Sequence, residues 1–220
     1  MNDIIIDIDL AETDKQISIQ LQKYIIEVLH EAFQRATPAI NDKIKSQTRV
    51  FFVDDTYYSL AYGALAANFG FPQGAGQAQV DMILATIINN IQVTYQPLKK
   101  SGSSIIGGLS LGVLVADFSD ILTLDAAVIT TEKQVKLPWL EWLLIRGNQL
   151  IIDEYSVDLA PGRGRSGQAV MIHDSGHWKV PSKYAGTINN NWLTRSISDH
   201  LTKYMQMVRS TIYNEISKNI

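Results

Sequence analysis

The strongest constraint on this chain lies at its C-terminal end. Leu193, Ile197, Leu201, Tyr204, Val208, Ile212 and Ile216 recur at three- and four-residue spacing, the period of one face of an α-helix. A stripe this regular predicts one long helix starting near Asn189. Because helices gain most of their stability by packing an apolar face, that stripe is expected to bury, with Leu201 at its centre and Lys203 on the polar side.

The N-terminal half carries the same signature. Ile17, Leu21, Tyr24, Ile25, Val28, Ala32 and Phe33 follow a helical period after Thr13 or Asp14 as cap. Thr37-Pro38 reads as an interruption, with proline starting a second helix that runs toward Val50. Asp54 or Asp55 caps a third, carrying Tyr58, Leu60, Ala61, Leu65 and Phe69 and stopping at Gly70-Phe71-Pro72. Val80, Ile83, Leu84, Ile87, Ile88 and Ile91 mark a fourth. Ahead of all of these, Ile4, Ile6 and Ile8 alternate with Asp3, Asp7 and Asp9, the pattern of a short strand.

From Val93 onward the pattern becomes β-like. Val93–Tyr95, the apolar Gly-rich stretch 105–118, and segments 126–131, 149–159 and 168–173 are β-prone. They are broken by polar turns and by a short helix at Leu137–Arg146, closed by Gly147 as the residue after the helix. Helices, then mostly antiparallel strands, then a closing helix specify an α+β fold. The expected architecture is long N- and C-terminal helices packed on a mostly antiparallel β-sheet with extended hairpin loops. No linker divides the 220 residues, so a single domain 1–220 is expected.

Composition narrows the chemistry. The chain has no cysteine, which excludes thiol nucleophiles and cysteine-ligated metals. A net charge of −3 argues against strong nonspecific nucleic-acid binding. The acidic start MNDIIIDIDL is unlike a signal peptide, and no apolar run is long enough to span a bilayer. The expectation is a soluble protein that stays where it is made.

One stretch imitates a cofactor site. Gly162-Arg163-Gly164-Arg165-Ser166-Gly167 matches the spacing of a dinucleotide-binding turn. Such a turn needs a helix after it, whose N-terminal N–H groups meet the pyrophosphate. The following QAVMIHDSG reads as a strand and a turn. The loop is therefore expected to be a hairpin connection whose two arginines face solvent or a partner, and no cofactor is expected. His173 and His177 bracket Asp174 and Ser175. They lack an evident third metal ligand, so no metal is expected either. Residues so close in sequence seldom form a nucleophile–base arrangement, which is built in space. A small hydrolase using Ser175, His173 and His177 is the alternative of another class. Glu141, Asp153 and Glu154 read as surface carboxylates, and Trp139 and Trp142 as core anchors.

Several stretches, in order along the chain, resemble segments of tailed-bacteriophage neck or tail-completion proteins. They are Tyr57–Pro72, Leu137-Pro138-Trp139-Leu140-Glu141-Trp142-Leu143-Leu144, Gly164-Arg165-Ser166-Gly167, Trp178-Lys179-Val180-Pro181, Ala185-Gly186-Thr187 and Asn190-Asn191-Trp192-Leu193-Thr194-Arg195. The resemblance implies a structural virion protein, not an enzyme, that forms a homo-oligomeric ring at the head–tail neck. It would join the portal or head-completion adaptor to the tail terminator or tail tube, with genomic DNA passing through the lumen without sequence recognition. The alternative within the same assembly is a tail terminator or tail-tube component. The implied location is the virion, with the host cytoplasm as the place of assembly and no membrane contact. Lys99, Lys100, Arg163, Arg165, Trp178 and Arg195 are the candidate assembly contacts.

Overall fold

A computed structural model describes residues 13–102, 104–130, 134–159, 162, 164, 167 and 169–218. The predicted N-terminal strand and the side chains of Arg163 and Arg165 lie outside the described residues.

Helix α1 runs Asp14–Phe52 without a break. The expected interruption at Pro38 does not occur. Proline lacks the N–H that would reach the carbonyl of Gln34, but it lies on an exposed face where water can satisfy that group, and the turn before it is held by Thr37 Oγ1 donating to the Phe33 carbonyl at 2.7 Å. Helices α2 (Asp55–Ala61) and α3 (Ala64–Asn68) replace the single third helix, divided at Gly63. Asp54 caps α2 as expected, its carboxylate accepting from the N–H groups of Thr56 and Tyr57 at 2.8 and 3.0 Å. Helix α4 (Gly76–Asn90) follows, then strands β1 (Gln92–Ser101) and β2 (Ser104–Gly112). Helix α5 (Ser119–Leu122), the two-residue strands β3 (Ile129–Thr130) and β4 (Lys136–Leu137), and helix α6 (Trp139–Leu144) come next. Strands β5 (Ile152–Asp158) and β6 (Val170–Trp178) and helix α7 (Trp192–Ser217) complete the chain.

The fold is α+β, with long first and last helices. Among the described residues its strands do not merge into one sheet. They form three two-stranded ribbons, β1–β2, β3–β4 and β5–β6. Positive φ at Gly107 and Gly108 marks an irregularity in β2, and a side chain at Gly107 would strike the Pro97 carbonyl at 2.6 Å.

Two compact units are present. The first comprises the described part of residues 1–40, with 93–110 and 208–220. In it Tyr95 packs on His30 and Phe33, with ring centroids 5.3 and 5.8 Å apart, and its hydroxyl meets His30 Nδ1 at 2.7 Å. The second comprises 41–92 and 111–207 and holds an aromatic core. Trp139 is fully buried between Phe69 and Phe71, and its indole N–H donates to the Ala126 carbonyl at 2.8 Å. That bond removes the penalty of burying a polar group.

Gly147 does not close α6 in a left-handed conformation. Its small size serves a close approach: a Cβ there would lie 2.4 Å from Gly186 N, and the Gly147 N–H donates to the Gly186 carbonyl at 3.1 Å. A Cβ at Gly186 would in turn stand 2.6 Å from both the Leu143 carbonyl oxygen and Asn191 Cβ.

The buried face of α7 differs from the expected stripe. Trp192, Leu193, Ser196, Tyr204 and Thr211 are buried, whereas Leu201 is 56% exposed. The reason is rotational. His200, not Leu201, faces α1, where its ring stacks on Phe51 with centroids 4.0 Å apart.

Candidate assembly surface

The residues with candidate roles fall into three places. Lys99 and Lys100 sit at the end of β1, inside the strand rather than in the following turn, and both are exposed. Trp178 ends β6 and is buried, 5% exposed, in edge-to-face contact with Phe69 and Trp142. Its indole N–H donates to Asn68 Oδ1 at 3.2 Å, so in this subunit the ring serves the core. Arg195, on the first turn of α7, donates to the Asn190 carbonyl and side chain at 3.4 and 3.2 Å and holds the preceding loop.

The Gly-rich loop is described only at its glycines. Gly162, Gly164 and Gly167 all have positive φ, and Gly162 N–H donates to the Gly167 carbonyl at 2.9 Å. The element that follows is strand β6. A turn between two antiparallel strands presents no helix N-terminus to a pyrophosphate.

The β5–β6 ribbon brings the histidines opposite carboxylates. Asp153 pairs with His177 and Tyr155 with His173, and the register shifts between them at Glu154, whose φ is 62°. His177 Nδ1 donates to Asp153 Oδ1 at 2.5 Å, and His173 Nε2 lies 3.7 Å from Glu154. Ser156 Oγ donates to Asp174 Oδ2 at 2.5 Å and the Gly176 N–H to Asp174 Oδ1 at 2.7 Å. These donors, the hydroxyl first, hold the Asp174 carboxyl below the usual carboxylate range. Among the described residues, Ser175 forms no hydrogen bond to either imidazole, and no group of three or more His, Asp or Glu side chains is placed to hold a metal ion.

A shallow cleft of about 390 Å³ lies between α1 and α4, lined by Asp42, Lys45, Ser46, Arg49, Ala85, Ile88 and Asn89. Its cations are engaged. Lys45 donates to the Asn89 carbonyl at 3.5 Å, at the C-terminal end of α4 where a cation is favoured. Arg49 pairs with Asp81 at 3.6 Å, and Asp81 also accepts from the Tyr57 hydroxyl at 3.1 Å. Burial and that carboxylate together push the Tyr57 phenol above its ordinary range.

Sequence reasoning missed the most unusual surface. Ile17, Ile19, Leu21 and Tyr24, on the first turns of α1, are 36%, 46%, 56% and 62% exposed. Helical periodicity located Ile17, Leu21 and Tyr24 but not Ile19, which lies on the opposite face, and could not say whether either face had a partner. Among the described residues no helix is long and apolar enough to cross a membrane. No protein-family model, curated protein or solved structure matches the chain.

Proposed function

We propose that this protein is a structural component of a tailed-bacteriophage virion. Copies of it form a ring at the head–tail junction, between the portal or head-completion adaptor and the tail. The observation that carries this reading is the start of α1, which is exposed on every face from Thr13 to Leu21 yet bears Ile17, Ile19 and Leu21, with Tyr24 just beyond. Large apolar side chains gathered on an exposed helix mark a surface that buries on assembly. The likeness of six sequence stretches to neck and tail-completion proteins says which kind of assembly. In a ring, one patch of each subunit meets a different patch of the next, and DNA passes through without base recognition.

The test is an image of the purified protein and of the virion. A closed ring in solution, and antibody label at the neck of intact particles, are the expected results. Label on the tail tube would instead place it among tail components. A monomer with hydrolytic activity that is lost on Ser175→Ala would overturn the proposal.

A further inference from the structure

Two helix faces carry the same apolar seam. On α1, Ile17, Leu21, Tyr24 and Val28 follow one another at steps of four, three and four residues. On α7, Leu201, Met205, Val208 and Ile212 repeat those steps. This is the stagger of coiled-coil core positions, which keeps one edge of a helix against a partner helix. Ile17, Leu21 and Tyr24 on α1 and Leu201 and Met205 on α7 are exposed. Val28, Val208 and Ile212 are half-buried. The α7 seam lies beside the face that Leu193, Ser196 and Tyr204 turn inward.

We infer that the α1 seam of one copy of this chain docks on the α7 seam of the next. The steps read the same in both directions, so the two seams match with the helices parallel or antiparallel. Charge permits the pairing. Between Ile17 and Val28 the charged residues are Lys23 and Glu27, and between Leu201 and Ile212 they are Lys203 and Arg209. At 3.6 residues per turn, Lys23 and Lys203 fall on the backs of their helices. The charges left beside the seams, Glu27 and Arg209, are opposite in sign.

A chain cannot make this contact with itself. Its own Tyr204 meets Thr48, which places Leu201 and Met205 within about a turn of Thr48. Along unbroken α1, Val28 and Ile17 lie about 30 and 46 Å from Thr48 at 1.5 Å per residue. The α7 seam extends only about 12 Å past Tyr204, too short to bridge that gap. The occupant of the α1 seam is therefore a second copy. Because the two seams differ, the contact is head-to-tail and leaves each copy a free seam of the other kind, so it propagates until the rotation closes a ring. The inference rests on the ring reading above and names its contact.

The test uses the full chain in sedimentation velocity. Wild-type protein should associate beyond the dimer. Leu21→Glu alone and Met205→Glu alone should each weaken self-association about a hundredfold, because each sets an unpaired charge inside an apolar contact. Both replaced side chains are exposed, so melting temperatures should hold. Mixing the two variants should give a 1:1 dimer that grows no further, since one intact α1 seam meets one intact α7 seam. Should a glutamate variant unfold, Leu21→Cys and Met205→Cys chains with tags of different mass are mixed and treated with a short bis-maleimide. The absence of native cysteine leaves the two introduced thiols as the cysteine targets. A mixed cross-linked dimer is expected, and it should be lost when Met82→Cys replaces Met205→Cys.

Association that survives in Met205→Glu would show the α1 seam meeting another surface, the same seam of a partner included, and overturns the inference. A mixture that stays monomeric, a wild type that never associates, or a cross-link no stronger than the Met82→Cys control overturns it too. A ring that still forms in both glutamate variants removes this contact alone, since the neck reading is decided by where label falls on the virion.

Discussion

The Tyr204 hydroxyl lies 2.8 Å from Thr48 Oγ1 in the buried contact between α7 and α1. Thr48 Oγ1 also lies 2.7 Å from the Ile44 carbonyl and donates its single proton there. Tyr204 must therefore be the donor to Thr48. The bond lets a phenol 1% exposed be buried without an orphaned polar atom. Tyr204→Phe should cost about 0.5–1.5 kcal/mol, measured by urea unfolding. An unchanged midpoint would mean that the helices do not rely on this bond.

The same tyrosine gives the protein an alkaline limit. Burial raises its pKa above the ordinary value near 10. A folded pKa above the unfolded one means that the stabilisation is complete below about pH 10 and is lost as pH rises through the folded pKa. Between about pH 9 and 12, stability should fall less steeply in Tyr204→Phe than in the wild type. Parallel curves would assign the alkaline loss to other groups.

Leu193 and Leu201 separate the two faces of α7. Leu193 is fully buried and Leu201 is 56% exposed. Leu193→Ala should cost about 2–5 kcal/mol, cavity included, while Leu201→Ala should stay within about 0.5 kcal/mol in the isolated subunit. A large loss at Leu201 in dilute protein would show that this face is already covered there.

Asn191 is the cap of α7. Its Oδ1 accepts from Thr194 N–H at 3.1 Å, Thr194 Oγ1 accepts from Asn191 N–H at 2.8 Å, and its amide donates to the Thr187 carbonyl at 3.0 Å. Asn191→Ala should cost about 2 kcal/mol, the upper end for a cap, because it also removes the amide's bonds to the Thr187 and Ile188 carbonyls. Asn191→Asp should keep the cap but lose the amide bond and fall between the two. Equal stability of all three forms would show that this network contributes nothing measurable.

Asp174 offers a test on the ribbon. Its depressed pKa comes first from the Ser156 hydroxyl. A depressed carboxyl contributes stability above its unfolded pKa, near 4, and loses it as pH falls through the folded value. Ser156→Ala should raise the Asp174 pKa toward that ordinary value, as read by NMR titration. No movement would mean that the Gly176 N–H alone holds the charge.

The sequence announced elements better than their neighbours. Asp54 as one of two candidate caps, the helical period of α4 and that of α7 could all be read from local chemistry. The rotation of α7 could not, because His200 and Thr211 are polar yet face inward while Leu201 does not. Counting apolar letters misses a stacked imidazole. The pairing of His177 with Asp153 depends on the irregular register at Glu154, a tertiary outcome with no local signal. The run of α1 through Pro38 was hidden for a related reason. Proline breaks a helix only where the bond it removes cannot be replaced.

The approach of Gly147 to Gly186 has a consequence for how this chain can drift. The atoms that a side chain at Gly147 would meet belong to the main chain, Gly186 N and Ala185 Cα, so trimming a neighbouring side chain cannot relieve the clash. At Gly186 one obstacle is the Leu143 carbonyl oxygen, again main chain. In a saturation library read out by folding, both positions should therefore accept glycine alone. No second-site suppressor confined to side chains should rescue either one. Over long divergence these two positions should hold still while the surface around them changes freely.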